Sequence, residues 1–204
     1  MEIKSLIVFI GICIFLILEF LFPKEKIYFK NKISRISKNI FFWLVNIGIT
    51  PIIILPISIF ATQFELHSLF KFNNSIMNFL FHLIIIDLFL YWWHRFNHQI
   101  PFLWKFHHVH HLDETLDISS GVRFHFGEVI LSALIRSIII ITFNISLINL
   151  LLIEAIILLS SIFHHSNKIF RSKSNFERKI GMPIGVEGDS EQSLKNLILR
   201  PFKK

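Results

Sequence analysis

The chain has 204 residues, of which 53% are hydrophobic and only 17% are charged. Soluble domains carry about 25% charged residues, so the deficit argues against a soluble domain and indicates a protein that lies in lipid. The net charge of +7 comes without a basic nucleic-acid motif, and in so apolar a chain it is typical of loops beside anionic lipid, which argues against nucleic acid as a partner. The single cysteine, Cys13, excludes an internal disulfide and a cysteine-based zinc site.

Three apolar runs predict membrane-spanning helices, because crossing the hydrocarbon core takes roughly 20 mostly apolar residues. The runs cover residues 5–22, 40–60 and 76–93. The first is interpreted as a retained span, since its start is only weakly basic and no small-residue cleavage site follows. In the second run, Pro51 and Pro56 predict a kink.

A fourth apolar run, residues 129–163, is too long for one ordinary span and is interrupted near Asn144. It predicts a hairpin of two short helices. Arg136 lies within it, and either extends to the membrane surface or forms a structural ion pair with Glu154 across the hairpin. The expected fold is therefore all-α, a polytopic membrane protein of four to five transmembrane or re-entrant helices. We expect residues 1–74 to be an anchor and residues 75–204 to form a histidine-rich domain.

Two clusters of positive charge predict the orientation. Residues 23–39 contain six lysines and arginines, and the chain from residue 164 onward contains nine. Positive loops stay on the cytoplasmic side of a membrane, so both segments are expected there, with the amino terminus outside. The histidine-rich segments then form a cap on the cytoplasmic face.

Most of the eleven histidines lie between residues 94 and 165. His94 and His98 have the i, i+4 spacing that lets two imidazoles reach one metal ion, and Asp87 and Tyr91 fall on the same helical stripe. Asp87 lies at membrane depth, where a carboxylate is costly and is usually functional, for example in fixing a histidine tautomer. The alternative is that Tyr91 and the adjacent tryptophans form an interfacial aromatic belt.

The second cluster is His107, His108, His110 and His111. On a helix, His107 and His111 share a face, His110 lies beside them and His108 points elsewhere. Close imidazoles repel once protonated, so the cluster favours a metal that keeps them neutral. A solvated polar segment and a pH-responsive patch are the alternatives. A zinc-protease site is not indicated, because no glutamate directly follows a histidine.

These motifs resemble the fatty acid hydroxylase and sterol desaturase superfamily. The resemblance runs from about residue 80 to the carboxyl terminus, with its motifs in the family's order. The matching stretches are Asp87-x-x-x-Tyr91-x-x-His94-Arg95-x-x-His98, Leu103-Trp104-Lys105-Phe106-His107-x-x-His110-His111, Asp117-Ile118-Ser119-Ser120, Arg123-Phe124-His125-x-x-Glu128, Phe163-His164-His165-Ser166-Asn167, Gly181-Met182-Pro183, Val186-Glu187-Gly188-Asp189 and Pro201-Phe202. Phe126 stands where the family usually has proline.

The resemblance implies a two-metal site that activates dioxygen to hydroxylate or desaturate a membrane lipid. Iron suits this task, because it is redox-active and accepts imidazole, whereas zinc keeps one oxidation state. Electrons would come from a separate donor. The metal ligands expected are His94, His98, His107, His110, His111 and His165, with His125 as either a further ligand or part of a structural cluster. The expected hydrogen-bonding partners of the ligands are Asp87, Tyr91, Asp117 and Glu128, with Asp113 and Glu114 as further candidates.

The other histidines are assigned differently. His108 and His164 are interpreted as spare polar neighbours, His82 as a hydrogen-bonded core residue and His67 as a loop residue outside.

One family box is missing. Members normally have M-H-x-x-H-H after the H-S-N motif, followed by an aspartate, an N-[FY]-G turn and a W-D-x-L-F-G segment. Here residues 168–180 alone separate Asn167 from Gly181, and no histidine follows His165. The chain therefore resembles a member with an internal deletion. The remaining imidazoles could hold one metal fully or two loosely, and another chain of an oligomer could add ligands.

Three functions follow as alternatives. The first is a lipid-hydroxylating or lipid-desaturating oxidoreductase. The second is a catalytically inactive, deleted paralogue that keeps a metal-binding or structural role in the membrane. The third, a metal or proton transporter, is the weakest, because it needs ionisable groups deep in several spans and only Asp87, Arg136 and Glu154 are plausible for that role.

Overall fold

A computed structural model describes residues 2–22, 32–64, 72–112, 117–165 and 193–202. Within these ranges the chain is helical with short connections and has no strand, which confirms the all-α prediction for them. The helices are α1 (Glu2–Leu21), α2 (Lys32–Ile49), a π-helical turn (Thr50–Ile54), α3 (Leu55–Thr62), α4 (Ser75–Gln99), α5 (Pro101–His111), a 3-10 turn (Ile118–Val122), α6 (Phe126–Thr142), α7 (Leu147–His165), α8 (Leu194–Leu199) and a terminal 3-10 turn (Arg200–Phe202).

Two of the described helical stretches are long and apolar enough to cross a membrane. They are Ile33–Thr62, which combines α2, the π-helical turn and α3, and Ser75–Gln99, which is α4. Only 11% of the most apolar window of each is buried, so their apolar side chains face outward, as expected for contact with lipid. Val8–Leu21 and Leu147–Phe163 are shorter apolar helices. The count of four to five spans and the side on which the histidines lie stay predictions.

The second span differs from its prediction at its start. It was expected to begin at residue 40, after a positively charged loop, yet α2 begins at Lys32. The reason is that Arg35 and Asn39 are not loop residues but buried polar residues of α2, each bonded to residues near position 120. The kink predicted at Pro51 and Pro56 coincides with a change of helix type, since Pro51 lies in the π-helical turn between α2 and α3 and Pro56 lies in the first turn of α3.

The hairpin formed by α6 and α7 is confirmed. It turns at Asn144, which adopts a positive φ of 50°, a conformation that asparagine tolerates better than most residues. Of the two alternatives for Arg136, the structure shows the ion pair with Glu154 across the hairpin, with Nη2 and Oε1 3.1 Å apart. The buried side chains at this end of the molecule come from α3, α4, α6 and α7: Ala61, Ile86, Ile140, Ile145, Leu150 and Ile153.

A second core lies at the opposite, polar end of the helices. Leu197 of α8 is fully buried among Phe42, Val109 and Leu112, so the short carboxyl-terminal helix packs against α2 and α5. Separately, α1 packs against α7 and the 3-10 turn Ile118–Val122, and α2 packs against α6 and the same turn. The described residues of the predicted anchor therefore contact those of the predicted histidine-rich domain.

The close packing of α6 against α5 can be tested at Gly127. A Cβ added there would lie 2.6 Å from the Phe106 ring, so Gly127→Ala should lower the free energy of unfolding by about 1–3 kcal/mol through overpacking. Gly48 is the matched control: it lies within α2 with nothing within 4 Å of an added Cβ, and Gly48→Ala should raise the stability by about 0.5–1 kcal/mol. Thermal unfolding in detergent measures both, and a Gly127→Ala protein as stable as wild type would contradict the packing.

Candidate metal centre

The break between α4 and α5 brings the two histidine clusters together. Pro101 occupies the first turn of α5, and the residue before a proline is disfavoured in helical conformation. Ile100 is accordingly extended, with φ −95° and ψ 114°, and the chain starts a new helix that packs against α4. The carboxyl-terminal ends of α4 and α5, which carry the paired histidines, meet as a result.

Four imidazoles converge at this meeting point. His94 and His98 come from α4, and His107 and His111 come from α5, each pair at i, i+4. One ring nitrogen from each lies within 4.8 Å of the others. The Nε2 atoms of His94 and His98 are 3.2 Å apart, and those of His107 and His111 are 3.1 Å apart. We call these four residues the histidine tetrad. Four imidazole nitrogens around one point form a donor set that transition metals accept.

Glu128 fixes the tautomer of one member of the tetrad. Its buried carboxylate on α6 lies 2.8 Å from Nδ1 of His107 and accepts a hydrogen bond from the N–H there. The proton is thereby held on Nδ1, and the lone pair of Nε2 faces the tetrad, which is the usual arrangement of a metal-binding histidine. Asn97, buried between the two histidines of α4, donates Nδ2–H to the same carboxylate oxygen at 3.2 Å.

His110 and His165 form a second group, the histidine pair, beside the tetrad. Their Nε2 atoms are 3.1 Å apart. Nδ1 of His110 lies 3.2 Å from the carbonyl oxygen of Arg123, and Nδ1 of His165 lies 2.8 Å from that of Ser161. A carbonyl can only accept, so both Nδ1 atoms donate and both neutral rings direct bare Nε2 lone pairs at each other. Such lone pairs repel, and a cation between or beside them relieves the repulsion.

Burial and the neighbouring rings keep the imidazoles of His110 and His111 uncharged. Burial, followed by the neighbouring histidines, lowers the pKa of His111 to about 2. The same causes, with His165 the largest of the neighbours, hold the pKa of His110 well below its ordinary value. A neutral imidazole is the form that binds metal, so the rings are in the ligand state at neutral pH without losing protons. These residues therefore fit a metal ion better than a shared proton.

Aromatic rings cover both groups. Trp104 stacks on His108, with ring centroids 4.6 Å apart, and lies 5.1 Å from His98 and 5.6 Å from His111. His108 thus contacts the tryptophan on the flank of the tetrad, as its helical position predicted. Phe124 stacks on His110 at 4.5 Å with the rings almost parallel. These rings limit access of water to the nitrogens, which strengthens any charge interaction there.

His125 lies outside both groups, although it was a candidate ligand. It is the amino-terminal cap of α6: Nδ1 accepts the backbone N–H of Gly127 at 3.0 Å, and Nε2 donates to the carbonyl of Ile198 at 3.1 Å. Both ring nitrogens are therefore used in holding α6 and α8. Burial lowers the pKa of His125, with the Ile198 bond opposing the shift.

The predicted hydrogen-bonding partners of the ligands are divided by the structure. Glu128 lies beside His107, as expected. Asp117 is buried but pairs with Arg35, and Tyr91 accepts from Arg95 at 3.3 Å. Asp87 is exposed and forms no hydrogen bond with a described residue.

His82 is buried in α4 and accepts from Asn149 at 3.0 Å, so it is the bonded core residue that was predicted. His67, Asp113, Glu114 and the side chain of His164 lie outside the described residues.

Sequence reasoning missed Asn97 and Arg123. Asn97 follows His94 by three residues, so the helical stripe that contains the histidines could have identified it. Arg123 acts through its backbone carbonyl, for which a sequence motif gives no signal.

Comparison with known proteins places the chain in a family. A family model described as fatty acid hydroxylase matches residues 79–183, just over half of the chain. Alkylglycerol monooxygenase from Danio rerio is 42% identical over 38 residues, which are 19% of this chain and 8% of that protein. This match therefore spans only a small part of that relative. No solved structure matches the chain.

Loss of the Glu128 carboxylate should weaken metal binding at the tetrad. We expect Glu128→Ala to reduce Co(II) affinity about 10- to 100-fold, because His107 then loses the partner that holds its proton on Nδ1. Titration of the purified protein with Co(II), followed by visible absorption, measures the affinity. Asp87→Asn is the control and should bind as wild type does. Unchanged affinity in a folded Glu128→Ala protein would contradict this assignment.

Proposed function

The chain belongs to the fatty acid hydroxylase family, and we propose that it is a membrane-bound non-haem iron oxidoreductase that hydroxylates or desaturates a lipid with dioxygen. The observation that carries the proposal is the convergence of four ring nitrogens within 4.8 Å of one another, with His107 held in the metal-binding tautomer. The ligands would be the histidine tetrad, His94, His98, His107 and His111, with His110 and His165 available to a second ion.

Iron held there would supply the redox chemistry needed to activate dioxygen toward an unactivated C–H bond. The overall reaction balances as one lipid C–H bond, dioxygen, two electrons and two protons giving an alcohol and water. Desaturation removes two hydrogens from adjacent carbons and gives two waters. Both routes consume two external electrons, so the proposal includes a separate electron donor as partner.

The protein's own residues would prepare this chemistry in three ways. Glu128 and the carbonyls of Arg123 and Ser161 hold protons on the outer ring nitrogens. Burial keeps the ring of His111 neutral, and Trp104 shields it and His98 from water. A dry site protects reactive species from side reactions with water.

The surroundings of the site support a lipid as substrate. Trp92, Phe96 and Phe102 are exposed apolar side chains on the turns of α4 and α5 that carry or precede the histidines. The most apolar window of α4 is also largely unburied. An acyl chain in the membrane could therefore reach the site along α4 without crossing water. We extend the proposal to the orientation: four to five helices lie in the membrane and the histidines face the cytoplasm, in agreement with the positive charges in residues 23–39 and after residue 164.

The inactive, metal-holding paralogue is the second candidate. The observation that favours it is the absence of any histidine after His165, which leaves the histidine pair with two ring nitrogens where the tetrad has four.

Isotopically labelled dioxygen tests the proposal. Cells that express wild-type protein should accumulate a lipid that contains the label, or one with a new double bond. His107→Ala/His111→Ala should give neither product, because it removes half of the tetrad. Lys105→Ala, an exposed change on the same helix, is the matched control and should retain the product. Lipid mass spectrometry is the readout.

Metal analysis of the same purified proteins separates the two candidates. Iron that is present in wild type and lost in the double variant, together with an oxidised lipid, supports the oxidoreductase. Bound metal without any change in lipids would instead identify the inactive paralogue. A folded wild-type protein that binds no metal would overturn both.

A further inference from the structure

Residues 117–124 form a compact polar segment before α6. Asp117 caps its 3-10 turn: the carboxylate accepts from the backbone N–H groups of Ser119 and Ser120, and the Ser120 hydroxyl accepts from the Asp117 N–H. Such reciprocal capping fixes the backbone of a short turn. The 117–124 segment is therefore preorganised, and what holds it in place determines where its carbonyls point.

Side chains from α1 and α2 hold this segment. Arg35 forms an ion pair with Asp117, and both are only 4% exposed. Asn39, fully buried, donates Nδ2–H to the Ser119 hydroxyl at 2.9 Å and accepts from Nη1 of Arg123 at 3.2 Å.

Two further bonds come from the same helices. The Glu19 carboxylate of α1 accepts the backbone N–H of Ile118 at 3.0 Å, and Asn46 donates to the carbonyl of Phe124 at 2.9 Å. Side chains of these two helices thus bond to five of the eight residues of the segment.

The opposite side of the segment contacts the histidine pair. The carbonyl of Arg123 accepts from Nδ1 of His110, and the ring of Phe124 stacks on the same imidazole. Gly121 packs against the other member: a Cβ added there would lie 3.3 Å from Cβ of His165. The 117–124 segment therefore packs close to both residues of the pair, and it fixes the tautomer of His110.

We propose that Arg35 and Asn39 are positioning residues for the metal-binding histidine pair, acting through the 117–124 segment. Both precede residue 79, where the match to the family begins, so the proposal assigns part of the site's construction to the amino-terminal helices. A buried ion pair gains little net stability over an apolar replacement, because desolvation offsets its attraction. A role in placing the carbonyl of Arg123, which bonds to His110, would explain why the Arg35–Asp117 ion pair is present, whereas stability alone would not. The proposal rests on the proposed function, but metal binding tests it without turnover.

The experiment measures Co(II) binding to the purified full chain by absorption titration, with thermal unfolding followed in parallel. The Co(II) bound by the histidine pair is measured as the difference in binding between the wild type and His110→Ala. We expect Arg35→Met and Asn39→Leu each to weaken binding by the pair about tenfold or more, while binding by the tetrad persists. Arg35→Lys keeps the charge beside Asp117 and should restore part of the affinity. Arg136→Met is the matched control, because it breaks another ion pair, in the α6–α7 hairpin, and should leave Co(II) binding unchanged.

Each outcome decides the proposal. Weaker binding in Arg35→Met or Asn39→Leu at a melting temperature no lower than that of Arg136→Met supports positioning. Equal affinity loss in Arg136→Met shows that loss of stability is the cause and overturns it. Wild-type binding in both Arg35→Met and Asn39→Leu also overturns it, as does His110→Ala removing no Co(II). If Arg35→Met does not fold, Asn39→Leu and Arg35→Lys decide. If the Co(II) results support positioning but no lipid is oxidised in cells, the proposed function is wrong and the positioning role of Arg35 and Asn39 still stands.

Discussion

Hydrogen bonds on the outer side of three imidazoles determine what the inner side can bind. His107, His110 and His165 each donate Nδ1–H to an oxygen that can only accept: a carboxylate or a backbone carbonyl. Their Nε2 lone pairs then face one another or other ring nitrogens at about 3.1 Å. Between His110 and His165, where both Nδ1 atoms donate, two bare lone pairs face each other, which is unfavourable without a cation. The burial of Glu128, the helix break at Pro101 and the fixed 117–124 segment all maintain the orientation of the rings.

A proton is the alternative cation, and the surroundings of the rings disfavour it. Burial and the adjacent rings lower the pKa values of His110 and His111, so protonation within the cluster is costly at neutral pH. A metal ion forms bonds with several neutral nitrogens at once and offsets their desolvation, whereas a proton serves only two. The same argument explains why so many histidines tolerate one another beneath a cover of aromatic rings. Because protonated imidazoles at these distances would repel one another, the cluster favours a metal ion bound by neutral rings.

Sequence periodicity predicted the local part of this structure and failed for the distant part. The i, i+4 spacings placed His94 beside His98 and His107 beside His111. The ion pair of Arg136 with Glu154 was one of two alternatives, because these are isolated charges in an apolar run. Contacts such as Arg35–Asp117, 82 residues apart, have no periodic signal, so Arg35 was interpreted as a loop charge. The capping of α6 by His125 likewise depends on a carbonyl 73 residues away. A motif shows which residue types are present, whereas their tertiary partners decide which nitrogen remains available.

The histidine tetrad and the histidine pair differ in the number of imidazole nitrogens that each offers to a metal ion. Four imidazole nitrogens satisfy a metal that prefers nitrogen ligands, whereas two leave most of its coordination to other donors. Because no histidine follows His165, further protein donors to the pair from the tail of this chain would be carboxylates, amides or backbone oxygens, which are harder ligands than imidazole. Precise placement of His110 and His165 matters most at the pair, because a site with few ligands depends on each of them.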